Sequence, residues 1–257
     1  MLKRNKGVSI KQVADFLDKK LSVAEIKDYA LNGLQVTSER LVKRLGIAVD
    51  GALAIFKAAK QQEVDLLIVH HGIFWGQEQA IIGPHYQRLK ILLEAGIGLY
   101  AVHLPLDRHP QLGNNILLAK RLKLQKIRPF GVYNSITIGF GGELNNSLSF
   151  KSLANKVAKS LGNLSQVFTL GKNRVRRIAI VSGAGGELIY EAKEAGYDTF
   201  ITGEISHAQF HLAKELEINI IAAGHYATET LGVKALGSLV AKKFKLENIF
   251  LDYPTNL

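Results

Sequence analysis

The chain has 257 residues, of which 47% are hydrophobic, and this is enough to bury the core of one large domain or two modest ones. It contains no cysteine, which excludes disulfides, thiolate zinc sites, iron–sulfur clusters and cysteine nucleophiles. Any metal site must therefore use nitrogen and oxygen ligands. The formal charge is +11, which favours anionic partners.

The excess of positive charge is partly clustered. Such clusters attract nucleotides or nucleic acid, but none lies in a nucleic-acid-binding motif, so we favour solvated helix faces and turns. The clusters are Lys120–Arg128, Lys172–Arg177 and Lys242–Lys245. No apolar run approaches the length of a membrane span, and no apolar segment follows the basic first residues as it would in a secretory signal peptide. We therefore predict a cytoplasmic protein without a membrane partner.

In chain order, the first predicted element is a helix over Ser9–Leu21, with apolar residues at helical spacing and Ser9 placed to cap it. Asn32-Gly33 then predicts a turn. From Leu45, strands written as continuous apolar runs alternate with helices, which is typical of a buried and largely parallel sheet. The predicted strands are 45–50, 65–69 and 97–102, and the predicted helices are 52–62 and about 85–95.

The second half of the chain repeats this order about 120 to 133 residues later. Identities between the copies are few, so chance similarity of two ordinary strand–helix–strand units competes with the favoured explanation, an internal duplication. The repeated strands are 177–183, 197–204 and 218–223, and the repeated helices are 187–196 and 209–216. The glycine-rich stretch Gly139–Ser147 predicts a connection near a domain boundary. We predict one α/β domain at 1–125 plus 224–257 and a second at 126–223.

Three distant segments end apolar runs with side chains that bind metals: His70-His71-Gly72, His103–Asp107 and Gly224–Glu229. Imidazole nitrogens and carboxylate oxygens are ligands that first-row divalent ions prefer. Ligands of open α/β sheets gather beyond the carboxyl ends of the strands. If Asp107 or Glu229 bridges, three imidazoles and two carboxylates suit a pair of ions roughly 3.5–4 Å apart. Because neighbouring strand residues point to opposite faces, the chain must turn at Gly72 for both histidines to take part.

Each part of this pattern also has an ordinary structural explanation. His103 and His109 flank Asp107 and are better interpreted as supporting or structural residues than as ligands. Glu204 occupies the strand end equivalent to that of His71, but it equally suits the start of a helix. His207 and His211 are four residues apart on a predicted helix, a spacing that suits a metal pair or a lining of the site. The coincidence of three strand ends favours the metal site.

Together, these motifs resemble those of the Nif-three-like proteins, often catalogued as GTP cyclohydrolase 1 type 2 homologues. The resemblance extends from about Ser9 to the end of the chain. It is carried by the segments Asp28–Val36, Val69–Gly72, His103–Asp107, Gly113–Asn115, Ile201–Glu204 and Gly224–Glu229. It implies an α/β protein whose two similar halves face each other across a dinuclear metal cleft.

By the same resemblance, His70 and His71 would each bind one ion, Asp107 would join the first, His225 the second, and Glu229 would bridge. The implied cofactor is a pair of divalent ions per chain, with iron, manganese and zinc all compatible with these ligands. His103, Glu204 and His211 are candidates for the surrounding shell and for proton transfer. The family's hexameric rings imply a homo-oligomer.

The function implied is metal-dependent hydrolysis of a nucleotide or related phosphorylated small molecule. The alternative is a metal-stabilised interaction or regulatory scaffold without turnover. A coordination position that stays open to water or substrate separates the two, because a catalytic ion requires one. The sequence contains no Walker lysine loop and no Gly-x-Ser-x-Gly elbow, so it does not favour P-loop nucleotide hydrolysis or serine hydrolysis.

Overall fold

A computed structural model describes residues 7–162 and 166–255. Its packing divides these residues into two compact units. Unit 1 contains the residues up to Leu106 together with Gly232–Tyr253, and unit 2 contains Asp107–Leu231 and the residues from Pro254. Both units are mixed α/β structures. The domain limits expected from the sequence, 1–125 plus 224–257 and 126–223, concern folding domains and stay a prediction.

The elements confirm the predicted alternation of strands and helices. The strands are β1 (Val8–Ser9), β2 (Gly33–Val36), β3 (Leu41–Val42), β4 (Arg44–Asp50), β5 (Leu66–His71), β6 (Gly98–Ala101), β7 (Gln125–Tyr133), β8 (Ile136–Ser149), β9 (Gln166–Phe168), β10 (Arg174–Val181), β11 (Thr199–Thr202), β12 (Asn219–Ala222) and β13 (Glu247–Phe250). The helices are α1 (Ile10–Leu21), α2 (Leu53–Gln61), α3 (Gly83–Ala95), α4 (Leu104–Asp107), α5 (Asn114–Arg121), α6 (Phe150–Leu161), α7 (Ile189–Glu194), α8 (His207–Glu215) and α9 (His225–Phe244), with 3-10 turns at Val23–Glu25 and Gly185–Leu188.

The central sheet of unit 1 has the strand order β13-β4-β5-β6-β2, with β2 antiparallel and the other strands parallel. The inner strands β4, β5 and β6 appear in the sequence as continuous apolar runs because almost all their residues are buried. Leu67, Val69 and Leu99 pack with Phe56 of α2 in one core cluster. Ser9 caps α1 as predicted: its hydroxyl accepts a hydrogen bond from the Gln12 N–H, and the Gln12 side chain returns to the Ser9 N–H.

The sheet of unit 2 has the strand order β7-β8-β10-β11-β12-β9. Strands β10, β11 and β12 are parallel, whereas β8 and β9 flank them in the antiparallel direction. Helices α5 and α6 contribute Leu118, Leu153 and Val157 to a core cluster with Ile180 and Ile221 of the sheet. This arrangement leaves the carboxyl ends of three parallel strands together at one edge of the unit.

The two parallel strand sets share local details as well as order. In unit 1, Oδ2 of Asp65 accepts hydrogen bonds from the backbone N–H groups of residues 43–44, at 2.9 and 3.0 Å. In unit 2, Oδ2 of Asp198 accepts them from residues 176–177, at 2.7 and 2.9 Å. Each aspartate therefore ties the start of one strand to its parallel neighbour. Duplication of an ancestral unit stays a prediction that these details favour.

The predicted connection at Gly139–Ser147 is wrong, since this stretch lies within the long strand β8. The glycines serve close packing rather than a turn. A Cβ at Gly139 would lie 2.6 Å from the carbonyl oxygen of Ile180, and a Cβ at Gly141 would overlap the ring of Tyr197. A glycine in a strand that lets other groups approach closely looks, in sequence, the same as a glycine in a turn.

Among the residues described, no helix combines the length and the apolar composition that crossing a lipid bilayer requires.

Candidate metal centre

In unit 1, strand β5 delivers its last two residues, His70 and His71, to the carboxyl edge of the sheet. Their rings are not held on opposite sides, because the strand ends there and their centroids lie 4.8 Å apart. Gly72 follows in a closely packed position: a Cβ there would lie 2.6 Å from Cβ of Ala101 and would overlap the side-chain amide of Gln35. A glycine is therefore needed next to the two histidines for close packing, and the predicted turn at this residue stays a prediction.

The hydrogen-bond partner of Nδ1 determines the tautomer of each of these two histidines. Nδ1 of the fully buried His70 lies 2.8 Å from the carbonyl oxygen of Val102, and Nδ1 of His71 lies 2.8 Å from Oδ1 of Asp50. A carbonyl oxygen can only accept, so Nδ1 of His70 carries the hydrogen and Nε2 of the neutral ring carries the lone pair. The carboxylate of Asp50 favours the same tautomer in His71. This is the pattern of metal-binding histidines.

His103 completes an imidazole cluster in unit 1. One ring nitrogen of each of His70, His71 and His103 lies within 4.8 Å of the others. The indole ring of Trp75 packs beside the cluster, with centroid distances of 5.8 Å to His71 and 5.4 Å to His103. The sequence predicts that His103 supports the site rather than binding an ion. In the structure its Nδ1 atom contacts the carboxylate of Asp28.

Behind His103, a buried carboxylate organises the loop that follows β6. The Nδ1 atom of His103 lies 3.1 Å from Oδ2 of Asp28, which also accepts hydrogen bonds from the side chain of Asn32 and the N–H of Leu104. Burial by itself raises the pKa of Asp28, but the hydrogen bond and charge of His103, with the bonds from Asn32 and Ala30, outweigh burial and hold the pKa at about 2. Asp28 is therefore ionised at neutral pH.

In unit 2, His225 begins helix α9 between two carboxylates. Its Nε2 atom lies 3.3 Å from Oε1 of Glu229, one helical turn later, and its Nδ1 atom lies 3.3 Å from Oε1 of Glu204, which follows β11. Glu229 is buried, whereas Glu204 is half-exposed. The predicted helical spacing of His225 and Glu229 is confirmed. Of the two interpretations of Glu204, its contact with His225 favours a role in the site.

The loop after β10 closes around these side chains. Gly183 has a φ of +63°, and a Cβ there would overlap the carboxylate of Glu229 and lie 3.2 Å from Nε2 of His225. The Gly183 N–H donates to the hydroxyl of Thr228, at 3.1 Å, which ties this loop to the first turn of α9. A glycine is required here because backbone and carboxylate share one space.

Asp107 of unit 2 is buried and held by two donors. Its Oδ1 atom accepts hydrogen bonds from Nδ2 of Asn114, at 2.7 Å, and from the hydroxyl of Ser182, at 3.0 Å. The side chain of Asn115 accepts from the Ser182 N–H at 2.6 Å. These contacts explain the Gly113–Asn115 motif, which orients Asp107 and the residue before Gly183.

Three further histidines, His109, His207 and His211, have contacts of a different kind. Nδ1 of His109 accepts hydrogen bonds from the N–H groups of Gln111 and Leu112, so this ring supports a turn, in agreement with the structural interpretation. His211 is exposed on α8, and its Nε2 atom lies 3.3 Å from that of His207.

The electrostatics of the unit 2 set predict a pH effect in metal-free protein. Burial lowers the pKa of His225, but the hydrogen bond and charge of Glu229, followed by those of Glu204, outweigh burial and raise it to about 9, from an ordinary value of 6.5. Because the folded state binds the His225 proton more tightly than the unfolded state does, protonation of His225 stabilises the folded state fully below pH 6.5. This stabilisation is lost as the pH rises towards 9.

We therefore expect the melting temperature of metal-free protein to fall between pH 6.5 and 9 more steeply for the wild type than for His225→Gln. Differential scanning fluorimetry of the two proteins across this range measures the difference. Parallel curves would show that His225 is not the titrating group.

The chain is similar to known proteins over almost its whole length. The family model described as Duf34/NIF3 (NGG1p interacting factor 3) matches residues 8–256. A protein of Pyrococcus abyssi named GTP cyclohydrolase 1 type 2 homolog is 45% identical over 247 residues, covering 96% of this chain and 98% of that protein. A protein of the same name from Deinococcus radiodurans is 39% identical over 246 residues, covering 96% and 94%.

Two solved structures have the same fold over almost their entire length. The crystal structure of TTHA1606 from Thermus thermophilus matches with a TM-score of 0.90 and 39% identity, covering 97% of this chain and 100% of that one. The structure of the protein ybgI, described as of unknown function, matches with a TM-score of 0.91 and 35% identity, with the same coverage.

Proposed function

Because the chain belongs to the DUF34/NIF3 family, we propose that it binds a pair of divalent ions and uses them to hydrolyse a nucleotide or a related phosphorylated small molecule. The observation that carries this proposal is the convergence of oriented donors in each unit: the imidazole cluster of unit 1, and His225 with its two carboxylates in unit 2. The shared name GTP cyclohydrolase 1 type 2 homolog supports a nucleotide as the substrate.

The proposed ligands are His70, His71, Asp107, His225 and Glu229, serving one dinuclear centre. Nitrogen and oxygen donors without thiolates suit iron, manganese or zinc. When bound, such ions lower the pKa of a coordinated water and polarise the bond to be cleaved. The contribution of the chain is orientation: the Val102 carbonyl and Asp50 fix the two ring tautomers of unit 1, and Asn114 and Ser182 hold the carboxylate of Asp107.

Two residues have distinct proposed roles in handling protons. Glu204 is half-exposed and contacts Nδ1 of His225, so it is placed to exchange a proton between that ring and solvent. Asp28 stays ionised and can only accept a hydrogen bond, so it orients the His103 ring with Nδ1 as the donor. Neither residue is a proposed ligand; each acts on a neighbouring imidazole ring.

We further propose that the chain assembles into a homohexameric ring and acts in the cytoplasm. Several large apolar side chains of unit 1 are more than half exposed, and contact with other subunits would cover them: Tyr29, Leu31, Ile81, Ile82 and Leu93. Multi-angle light scattering of the purified chain gives its mass directly, and a monomer at micromolar concentration would contradict the ring.

The test of the catalytic proposal is hydrolysis by three matched samples: metal-free protein, metal-restored protein and metal-restored His71→Ala. Metal analysis of gently purified protein first identifies the ion to restore, and a panel of nucleoside phosphates that includes GTP is then screened. We expect turnover only in the metal-restored wild type. Turnover should slow at high ionic strength, because salt screens the attraction between a basic protein and an anionic substrate.

Melting temperatures of the same samples separate catalysis from a structural role. A metal-stabilised scaffold would lose thermal stability or assembly on metal removal while none of the samples turned over any nucleotide. That outcome would replace the enzyme by the interaction or regulatory protein. Equal turnover by the wild type and His71→Ala would instead remove His71 from the proposed ligands.

A further inference from the structure

Helix α8 of unit 2 presents a second pair of imidazoles to solvent, apart from the donors proposed above. His207 is the first residue of this helix, and His211 lies one turn later on the same face. Both side chains are exposed, and their Nε2 atoms lie 3.3 Å apart. The two rings stand nearly perpendicular, with an interplanar angle of 79° and a centroid distance of 4.8 Å.

The separation of the two nitrogens matches the bite of a metal ion. Two imidazole nitrogens bound to one tetrahedral ion at about 2.0–2.1 Å lie about 3.3–3.4 Å apart. The two Nε2 atoms lie within hydrogen-bond distance of each other, at 3.3 Å. The same separation would let one ion bind both nitrogens without moving either ring, by replacing the shared hydrogen. Two histidines four residues apart on a helix are also the arrangement with which several zinc enzymes hold their metal.

Neighbouring contacts hold both rings near this geometry. The capping box of Ser206 and Gln209 fixes the first turn of α8, on which His207 lies. The ring of Phe210 packs edge-on against His211, at 5.5 Å between centroids, and against Phe168 of β9, at 5.4 Å. Ligands that are already ordered lose little conformational entropy when an ion binds, which favours binding even with two protein donors.

We propose that His207 and His211 form a peripheral site for one first-row transition ion, bound through their Nε2 atoms. Imidazole favours the late ions of this series, so copper(II), nickel(II) and zinc are the expected ligands, with water in the remaining positions. The exposure of both rings makes the ion exchangeable. The site is independent of the dinuclear centre proposed above, because it shares no residue with that donor set.

The test is equilibrium dialysis of chelator-stripped, full-length protein against Ni²⁺. Wild-type protein should bind about one ion per chain more than the double variant His207→Gln/His211→Gln, since removal of both imidazoles leaves no strong donor. Lys214→Ala is the matched control, because it also removes an exposed polar side chain from α8 and should bind as the wild type does. Circular dichroism of all three proteins checks that the fold is retained.

A second measurement locates the ion on α8. Amide hydrogen exchange in residues 207–215 should slow when Ni²⁺ is added to the wild type, because an ion that joins two turns of a helix opposes its opening. The double variant should show no such protection. Equal Ni²⁺ binding by wild type and double variant would overturn the proposal, as would binding without protection of α8. Persistence of the additional ion in His70→Ala would show that the peripheral site stands even if the dinuclear centre does not.

Discussion

Glu229→Gln is expected to lower the occupancy of both proposed ions together. The substitution keeps the size and burial of the side chain but removes the negative charge and one coordinating oxygen of the proposed bridge. Its carboxylate lies 3.3 Å from Nε2 of His225, so the pKa of His225 should also fall from about 9. Metal analysis after gel filtration and histidine titration by NMR measure the two effects on the same protein.

Asp107→Asn is the matched control for the bridge, because it removes a comparable charge from a ligand proposed for one ion. It should lower the occupancy of that ion while leaving most of the other. Glu204→Gln should leave both ions and shift only the titration of His225, since Glu204 contacts Nδ1 of that ring. If Glu229→Gln and Asp107→Asn each lost the same amount of metal, and each from a single ion, Glu229 would not be the bridging ligand.

The parts of the site that were predicted from sequence share one physical rule. Buried parallel strands are recognisable as apolar runs, and their carboxyl ends meet at one edge of a sheet. This rule predicts His70 and His71 at a strand end, and they are the last residues of β5; it also predicts His225 just beyond a strand, and it follows β12. It also applies to Asp50, which ends β4 and pairs with His71 in register. Asp50 was missed because a single aspartate at a strand end resembles an ordinary turn residue.

Other contacts depend on distances that sequence spacing does not encode. Asp28 and His103 are 75 positions apart and meet only through the fold of unit 1. Asn114 and Asn115 belong to the Gly113–Asn115 motif, but their separate contacts, one with Asp107 and one with Ser182, require the packing of α5 against the sheet. Long-range pairs of this kind are specified by tertiary structure rather than by local pattern.

The glycines show the same limit. Turn chemistry is the usual interpretation of a glycine cluster, and it was wrong for β8, where Gly139 and Gly141 make room for a neighbouring carbonyl and a tyrosine ring. It also gave no reason to select Gly183, whose neighbour Glu229 is 46 positions later in the chain. Only the three-dimensional structure shows that a side chain at position 183 would occupy the space of the Glu229 carboxylate.

Two glycines with similar backbone angles separate steric collision from backbone strain. Gly183 has a φ of +63° and Gly162 a φ of +69°. Among the described residues, no atom would lie within 4 Å of a Cβ at Gly162, the residue that ends α6, whereas a Cβ at Gly183 would overlap the carboxylate of Glu229. Left-handed geometry at a non-glycine residue costs about 1–3 kcal/mol in either place. The difference between the two alanine variants therefore measures the collision.

Gly162→Ala is expected to lower the free energy of unfolding by about 1–3 kcal/mol and to retain full metal content. Gly183→Ala should lose metal from the unit 2 donors as well as stability, because the added methyl displaces Glu229 and crowds Nε2 of His225. Urea unfolding and metal analysis of the two variants provide the comparison. If Gly183→Ala matched Gly162→Ala in both stability and metal content, Glu229 could move without consequence, and the close packing around it would have no part in holding an ion.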